Sequence, residues 1–269
     1  MDKKKIKKSI LTAFFLIGSI VCFIAVVTDN VILAAIVFTV LFVTGIVSSS
    51  SSSNKNREYM EAKLKEFLDS FTRVSDEVFP RSTIEKTAPM IKETGYSRFN
   101  GFEFVFLGKT FLSEDISFGK ERTDKDFAGE DNKIRFDVIS RARVIKAVTD
   151  KTYPLIKFRC NTMEGGGSDE AYTYRLNDGV VDTCYTISSD EELTDSLLEM
   201  LSCMIPTLKR ASEYEISFTL HDNSLYSYRH IKETGYFTTY IEMDTNSAET
   251  HLRELKEQLE VTGGLSDVL

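Results

Sequence analysis

Two short motifs and three histidines hold the residue types that could do chemistry, and each falls short of a complete site. Gly108-Lys109-Thr110 has the ending of a phosphate-binding loop, in which backbone amides wrap a phosphate and the lysine reaches its outer oxygens. That loop also needs a glycine at position 103, where Glu103 stands, so the amides cannot wrap a phosphate in that way. Asp124-x-Asp126 with Gly129 echoes the start of a calcium loop. Ala128 replaces its third oxygen ligand and Arg135 sits where the closing glutamate must be. His221, His230 and His251 show no i, i+4 pairing and have no cysteine close in sequence. A metal site or a catalytic dyad would have to assemble between distant segments, and exposed polar residues are the simpler expectation. Carboxylates are abundant throughout, so spacing alone singles out no pair for acid–base work. Cys22, Cys160, Cys184 and Cys203 are scattered, with neither a disulfide framework nor a Cys-x-x-Cys site, which fits a reducing compartment. No catalytic, cofactor-binding or metal-ligating residue is assigned, and no cofactor is expected.

The stretch that organises the chain is 9–47, in which Asp29 is the single charged side chain. Residues 9–27 hold twelve strongly apolar residues, and 31–47 hold twelve more. At about −0.3 to −0.6 kcal/mol each near a membrane-helix centre, either segment gains roughly −4 to −7 kcal/mol before its polar residues are counted. Eighteen helical residues reach about 27 Å, slightly short of a hydrocarbon core of about 30 Å, and the uncharged flanks at Thr28 and Ser48 to Ser53 cover the difference. Thr28-Asp29-Asn30 is a tight turn whose carboxylate belongs at an interface, so the two spans run antiparallel. Lys3, Lys4, Lys5, Lys7 and Lys8 precede the first span, and Lys55 and Arg57 follow the second. By the positive-inside rule both termini face the cytoplasm at the cell membrane. A cleaved signal peptide shares the lysine-then-apolar order, but no Ala-x-Ala-like site follows the first apolar run and a second span comes at once. A buried helical hairpin of a soluble core would carry a polar face, and these segments have none.

The order is thus a basic N-terminus over 1–8, a transmembrane hairpin over 9–47, a serine-rich linker over 48–57, and a cytoplasmic domain over 58–269. The overall charge of −8 hides an asymmetry, because residues 1–8 carry five lysines against one aspartate and the remainder is strongly acidic. The basic foot suits anionic inner-leaflet lipid. The acidic body excludes general nucleic-acid binding, which needs a basic patch to neutralise phosphates. Nineteen Phe and eleven Tyr supply ample area for a core without any Trp.

Within the domain, Leu64, Phe67, Leu68, Phe71, Val74 and Val78 fall at helical spacing and predict a helix ending near Pro80. A second helical stretch covers 82–94, interrupted by Pro89 and closed by Gly95. Residues 102–107 alternate with Phe on one face and read as a strand, while 113–132 is charged, mixed and loop-like. Residues 133–148 and 152–161, separated by Thr149-Asp150-Lys151, look like a β-hairpin. Glu164 to Glu170 is a flexible loop, followed by strand-like 171–176 and 180–187. Ser189-x-x-Glu192 is a capping box for a helix carrying Leu193, Leu197, Leu201 and Met204, which Pro206 ends or bends into a further turn. Residues 214–220 and 225–230 around His221-Asp222-Asn223-Ser224 read as a second hairpin, with a further strand over 236–243. Asn246-x-x-Glu249 caps a last helix with Leu252, Leu255 and Leu259 on one face, which packs on its own sheet in preference to a partner helix, and Gly263-Gly264 stops it. The hexapeptide Ile-Lys-Glu-Thr-Gly-Tyr occurs at 91–96 and again at 231–236 without flanking similarity, as local turn chemistry. Mixed helices and strands with hairpin links define an α+β domain with a largely antiparallel sheet and packed helices.

Tyr185-Thr-Ile-Ser-Ser-Asp190, the leucine-rich helix running to Ile205-Pro206, Glu215-Ile-Ser-Phe218, Asn223-Ser-Leu-Tyr226 and the triplet Gly129-Glu130-Asp131 together carry a resemblance. The chain, over about Tyr59 to Tyr240, resembles the bacterial membrane proteins of domain of unknown function 3137, which also place two spans ahead of a cytoplasmic domain. The resemblance implies no activity, ligand or catalytic residue. The expectation is an integral membrane protein that presents a binding or scaffold module for a protein or small ligand at the inner surface, and that is not an enzyme. The alternative is a membrane-tethered enzyme whose site assembles from non-local carboxylate, His and Tyr residues. Homo-oligomeric assembly through the spans is a third expectation, with Gly18, Ala34, Ala35 and Gly45 permitting close packing but forming no Gly-xxx-Gly motif.

Overall fold

The structure, a computed structural model, describes residues 39, 58–74, 77–88, 95–124, 133–162, 171–231 and 245–269. The chain divides into two compact units, Met1–Tyr59 with Tyr240–Met243, and Met60–Thr239 with Asp244–Leu269. The expected spans over 9–27 and 31–47 belong to the first unit and, apart from Thr39, lie outside the described residues, as do the linker and the strand expected over 236–243. Among the described residues no helix is long and apolar enough to cross a membrane.

The second unit is an α+β domain built on a sheet that, among the described residues, has seven strands with all their pairings antiparallel. Its strands are β1 (Ser70–Arg73), β2 (Gly95–Phe106), β3 (Lys109–Asp124), β4 (Lys133–Cys160), β5 (Tyr172–Tyr174), β6 (Tyr185–Ser189) and β7 (Ile216–His230). The helices are α1 (Arg81–Thr87), α2 (Val181–Cys184), α3 (Asp195–Cys203), α4 (Ile205–Glu213) and α5 (Thr245–Val268). The 28-residue β4 is the spine. Along one edge it pairs first with β3 and then with β6, and along the other with β7.

Both hairpins expected from the sequence are single strands. Residues 133–148 and 152–161 form β4 without reversal, and 214–220 and 225–230 fall along β7. Their interruptions face each other: Val148 pairs with Ser224 and Tyr153 with Asp222, so the Thr149–Thr152 segment bulges out of β4. Asp222 opposite takes a left-handed φ of 53°, a conformation that Asp tolerates better than most residues. The bulge reverses the inside–outside parity of both strands together. Phe218 and Leu220 therefore share with Ser227 and Arg229 the face that α5 covers.

Other elements also depart from the sequence expectation. Helical backbone ends at 64, and the Phe71 region is the edge strand β1, paired with the Phe104 region of β2. The loop expected over 113–132 is strand β3 as far as Asp124. α1 stops at Thr87 with Ala88 extended, as a residue before proline prefers. Residues 181–184 form a helical turn ahead of β6, and the cap of α3 is Thr194, whose side chain accepts from the Leu197 amide. Pro206 opens α4, the further turn anticipated for it. α5 runs through Gly263-Gly264 to Val268. Phe111 and Thr207 lie beside these glycines at ordinary contact distance.

Two cores result. On one face Phe158, Ile187, Phe218 and Leu220 pack with Leu201, Met204 and Leu208 of α3 and α4 and with Val261 and Leu265 of α5. On the other, Ile116, Phe118, Val144, Tyr226 and Tyr228 pack under Phe79 and Ile84.

Candidate functional site

The polar residues that could act together lie on the two faces of the β3–β4–β7 region. Under α5, Asp115 and Arg143 sit directly opposite on β3 and β4, and Arg143 is in turn opposite Arg229 on β7. Arg143 Nε meets Asp115 Oδ1 at 3.0 Å, with both side chains buried. Arg229 Nη1 donates to Glu257 Oε2 at 2.9 Å and to the Glu254 carbonyl at 2.7 Å, and its guanidinium lies 5.6 Å from the Tyr214 ring centre. Two like charges facing across a sheet repel, and here each guanidinium has its own carboxylate.

Glu254 completes the row. Burial raises its pKa, but the hydrogen bond to His251 and the charges of Arg229, His251 and Arg143 outweigh that, so the net shift is downward. His251 Nδ1 lies 3.3 Å from Glu254 Oε2. One turn further along α5, Gln258 Nε2 donates to the carbonyls of Arg143 at 3.1 Å and Ser227 at 3.2 Å and approaches Ser227 Oγ at 3.1 Å. Thr262 Oγ1 bonds Ser227 Oγ at 2.8 Å. This network docks the middle of a helix on strands through hydrogen bonds where an apolar contact would be usual. Removing one partner would leave buried acceptors bare, at about 1–3 kcal/mol each.

The opposite face carries a different arrangement. Glu114 is fully buried at the point where two residues of β2, Asn100 and Gly101, oppose one residue of β3. Its Oε2 accepts the Phe79 amide at 3.2 Å, while Oε1 is buried with no hydrogen-bond partner. Burial pushes its pKa up from 4.5 to about 7, against the lowering effect of the Phe79 amide, Arg98 and the Val78 amide. Beside it, Thr87 Oγ1 and the Tyr228 hydroxyl are 2.5 Å apart, and Thr219 Oγ1 donates to the Thr87 carbonyl at 2.6 Å. Burial raises the Tyr228 phenol well above its ordinary value.

Of the residues singled out in the sequence, His251 joins the charged row beside Glu254 and the others are placed elsewhere. Leu107 and Gly108, both with positive φ, form the tight turn between β2 and β3, the geometry of a two-residue hairpin loop. Lys109 then donates to the Gly263 carbonyl and to Ser266 Oγ, both at 3.0 Å, and pairs with Asp267. The lysine that resembled a phosphate ligand thus neutralises the negative end of α5. Asp124 ends β3, and the rest of the calcium-like segment, with the Gly129-Glu130-Asp131 triplet, lies outside the described residues. His221 and His230 both lie on β7, about 30 Å apart at strand spacing, and His251 is on α5. Among the described residues no group of three His, Cys, Asp or Glu is placed to hold a metal ion. Leu252, Leu255 and Leu259 are buried, so the leucine face packs within its own domain. Cys160, Cys184 and Cys203 are free thiols.

Neither Glu114 nor the charged row was identifiable from sequence. The one local signal was inverted alternation in Ser113-Glu114-Asp115-Ile116-Ser117, where all five positions are buried.

The fold thus belongs to the α+β class, with a long antiparallel sheet and helices on both faces. No family model matches the chain, and no curated protein matches it. Among solved structures, the chain is similar to the mycobacterial trehalose monomycolate transport factor A, TtfA, with a TM-score of 0.39 and 9% identity over 78% of this chain and 95% of that one.

Proposed function

We propose that the chain is an integral membrane protein of the cell membrane, anchored by a helical hairpin over 9–47, with both termini and the α+β domain on the cytoplasmic side. In this reading the domain is a binding or scaffold module for a protein or small ligand at the inner leaflet, of the kind found in the family of domain of unknown function 3137. The observation that carries it is the run from Ser9 to Val47, charged only at Asp29, with lysine and arginine on one side of both spans. The domain's own chemistry favours a module over an enzyme: Asp115, Glu254 and Glu257 are bonded or held by Arg143, Arg229 and His251. Against burial, the hydrogen bond to His251 and the charge of Arg229 hold the Glu254 carboxyl below its usual range, which makes it a poor proton carrier near neutrality. The enzyme reading has Glu114 in its favour, a carboxyl that titrates near neutral pH, but it is sealed under the 77–80 segment.

Crosslinking of the full-length protein in native membranes, followed by mass spectrometry, tests the module. The expected outcome is a reproducible set of crosslinks to one partner through surface lysines of the domain. Crosslinks confined to within the chain, together with turnover of a substrate by the purified protein, would count for the enzyme instead.

A further inference from the structure

The segment from Glu77 to Pro80 crosses the sheet face without being a strand of it, and two side chains hold it in place of a neighbouring strand. The Phe79 amide donates to Glu114 Oε2 at 3.2 Å, and the Phe79 carbonyl accepts from Arg98 Nη1 at 2.6 Å. The Phe79 ring is buried edge-on against Tyr226, with ring centres 6.1 Å apart. The next residue, Pro80, is the N-cap of α1, and its carbonyl accepts from the Thr83 and Ile84 amides. α1 in turn covers Tyr228 through Thr87. Whatever frees Phe79 therefore loosens the cover over Ile116, Tyr226 and Tyr228.

Glu114 Oε1 is the bare atom in this arrangement. A neutral carboxyl tolerates that, but an ionised one does not, since a buried charge needs donors on both oxygens. Arg98, whose charge acts on Glu114, gives its hydrogen bond to the Phe79 carbonyl and not to Oε1. We propose that Glu114 is a proton-operated latch: neutral, it stays buried under the 77–80 segment with Oε1 unpartnered, and when it ionises the buried charge is relieved by lifting of that segment with α1, which lets water reach Oε1. Uncovering that sheet face would give the domain a surface whose availability follows pH, independently of how the chain is placed in a membrane.

The charged and titratable groups around the latch fit this assignment. The 77–80 segment contributes Glu77, whose charge raises the Glu114 pKa, and β2 contributes Arg98, which lowers it. α1 contributes Arg81 and Glu85, paired with each other at 2.8 Å, with Arg81 also over the Tyr96 ring. β4 contributes Lys146, 5.8 Å from the Tyr226 ring centre. β7 contributes Tyr226 and Tyr228, whose phenols burial raises, so they remain neutral throughout the window. Glu114 is thus the group placed to change charge near neutrality.

Amide hydrogen exchange on the full chain in lipid nanodiscs, from pH 5.5 to 8.5 and corrected for intrinsic exchange, decides the matter. The Phe79, Ile84 and Ala88 amides should lose protection by about tenfold or more as pH rises, relative to the β4 amides, and in Glu114→Gln the loss should vanish. Constant protection in the wild-type protein, or the same loss in Glu114→Gln, would overturn the latch. If that variant fails to fold, the wild-type Glu114 carboxyl ¹³C resonance serves instead. A midpoint coinciding with that of the exchange change supports the latch, and separate midpoints refute it.

Discussion

Glu114 has an ordinary pKa of 4.5 when exposed and about 7 in the folded protein, and that difference sets a direction for stability against pH. Between those values the folded chain keeps a proton that the unfolded chain has lost. Stability therefore falls as pH rises through the window and levels off above 7, the reverse of a paired surface acid. At full ionisation the loss is roughly 3 kcal/mol. Glu254 works oppositely: its pKa is depressed, so its contribution is present above the unfolded value and disappears as pH falls. Urea titrations of the full chain in mild detergent at pH 5 and pH 8 measure the first effect. Glu114→Gln should exceed the wild-type protein by about 2–3 kcal/mol at pH 8 and by under about 1 kcal/mol at pH 5. A Gln variant weaker than wild type at both pH values would contradict the assignment.

At the scale of elements, the strands show why local patterns mislead. Thr149-Asp150-Lys151 and His221-Asp222-Asn223 have the composition of turns. Each instead occupies an irregularity in the other's partner strand, where the same residue types suit a bulge. A turn and a bulge look alike until the pairing strand is known, and β4 and β7 are far apart in sequence. β3 was illegible for a related reason. Ser113, Asp115 and Ser117 face a covered side, and what makes that tolerable for Asp115 is Arg143, 28 residues on. The helix signals fared better where chemistry is local: Pro206 and the leucine face of α5 were read correctly. Gly263-Gly264 was not, because a glycine pair ends a helix only if nothing holds it beyond, and here Leu265 and Leu269 are buried in the core. A methyl at Gly263 would meet Phe111 Cζ at 3.5 Å and one at Gly264 would meet Thr207 Cγ2 at 3.6 Å, both ordinary contacts. Gly263→Ala and Gly264→Ala should each therefore stabilise the domain by about 0.5–1 kcal/mol through reduced unfolded-state freedom, read as a rise in urea midpoint. A fall of similar size would mean that the helix needs closer approach than these distances imply.

For the molecule as a whole, the legible part was the α+β class with its antiparallel sheet and packed helices, while the apolar hairpin over 9–47 and the serine-rich joint remain the proposal that the sequence makes for what precedes the domain. The fold class follows from that reading because alternation and punctuation, summed over two hundred residues, are robust to local errors. Candidate sites were not legible because Glu114, Arg98 and Phe79 belong to three separate segments, and only the sheet brings them together. The placement of the domain at the membrane is the claim on which the functional reading stands, and protease protection tests it most directly. With one epitope tag at each end of the full-length protein in intact cells, both tags should resist external protease and be cleaved only after the membrane is opened. A tag removed from intact cells, or a chain recovered undigested in the soluble fraction without detergent, would contradict the account.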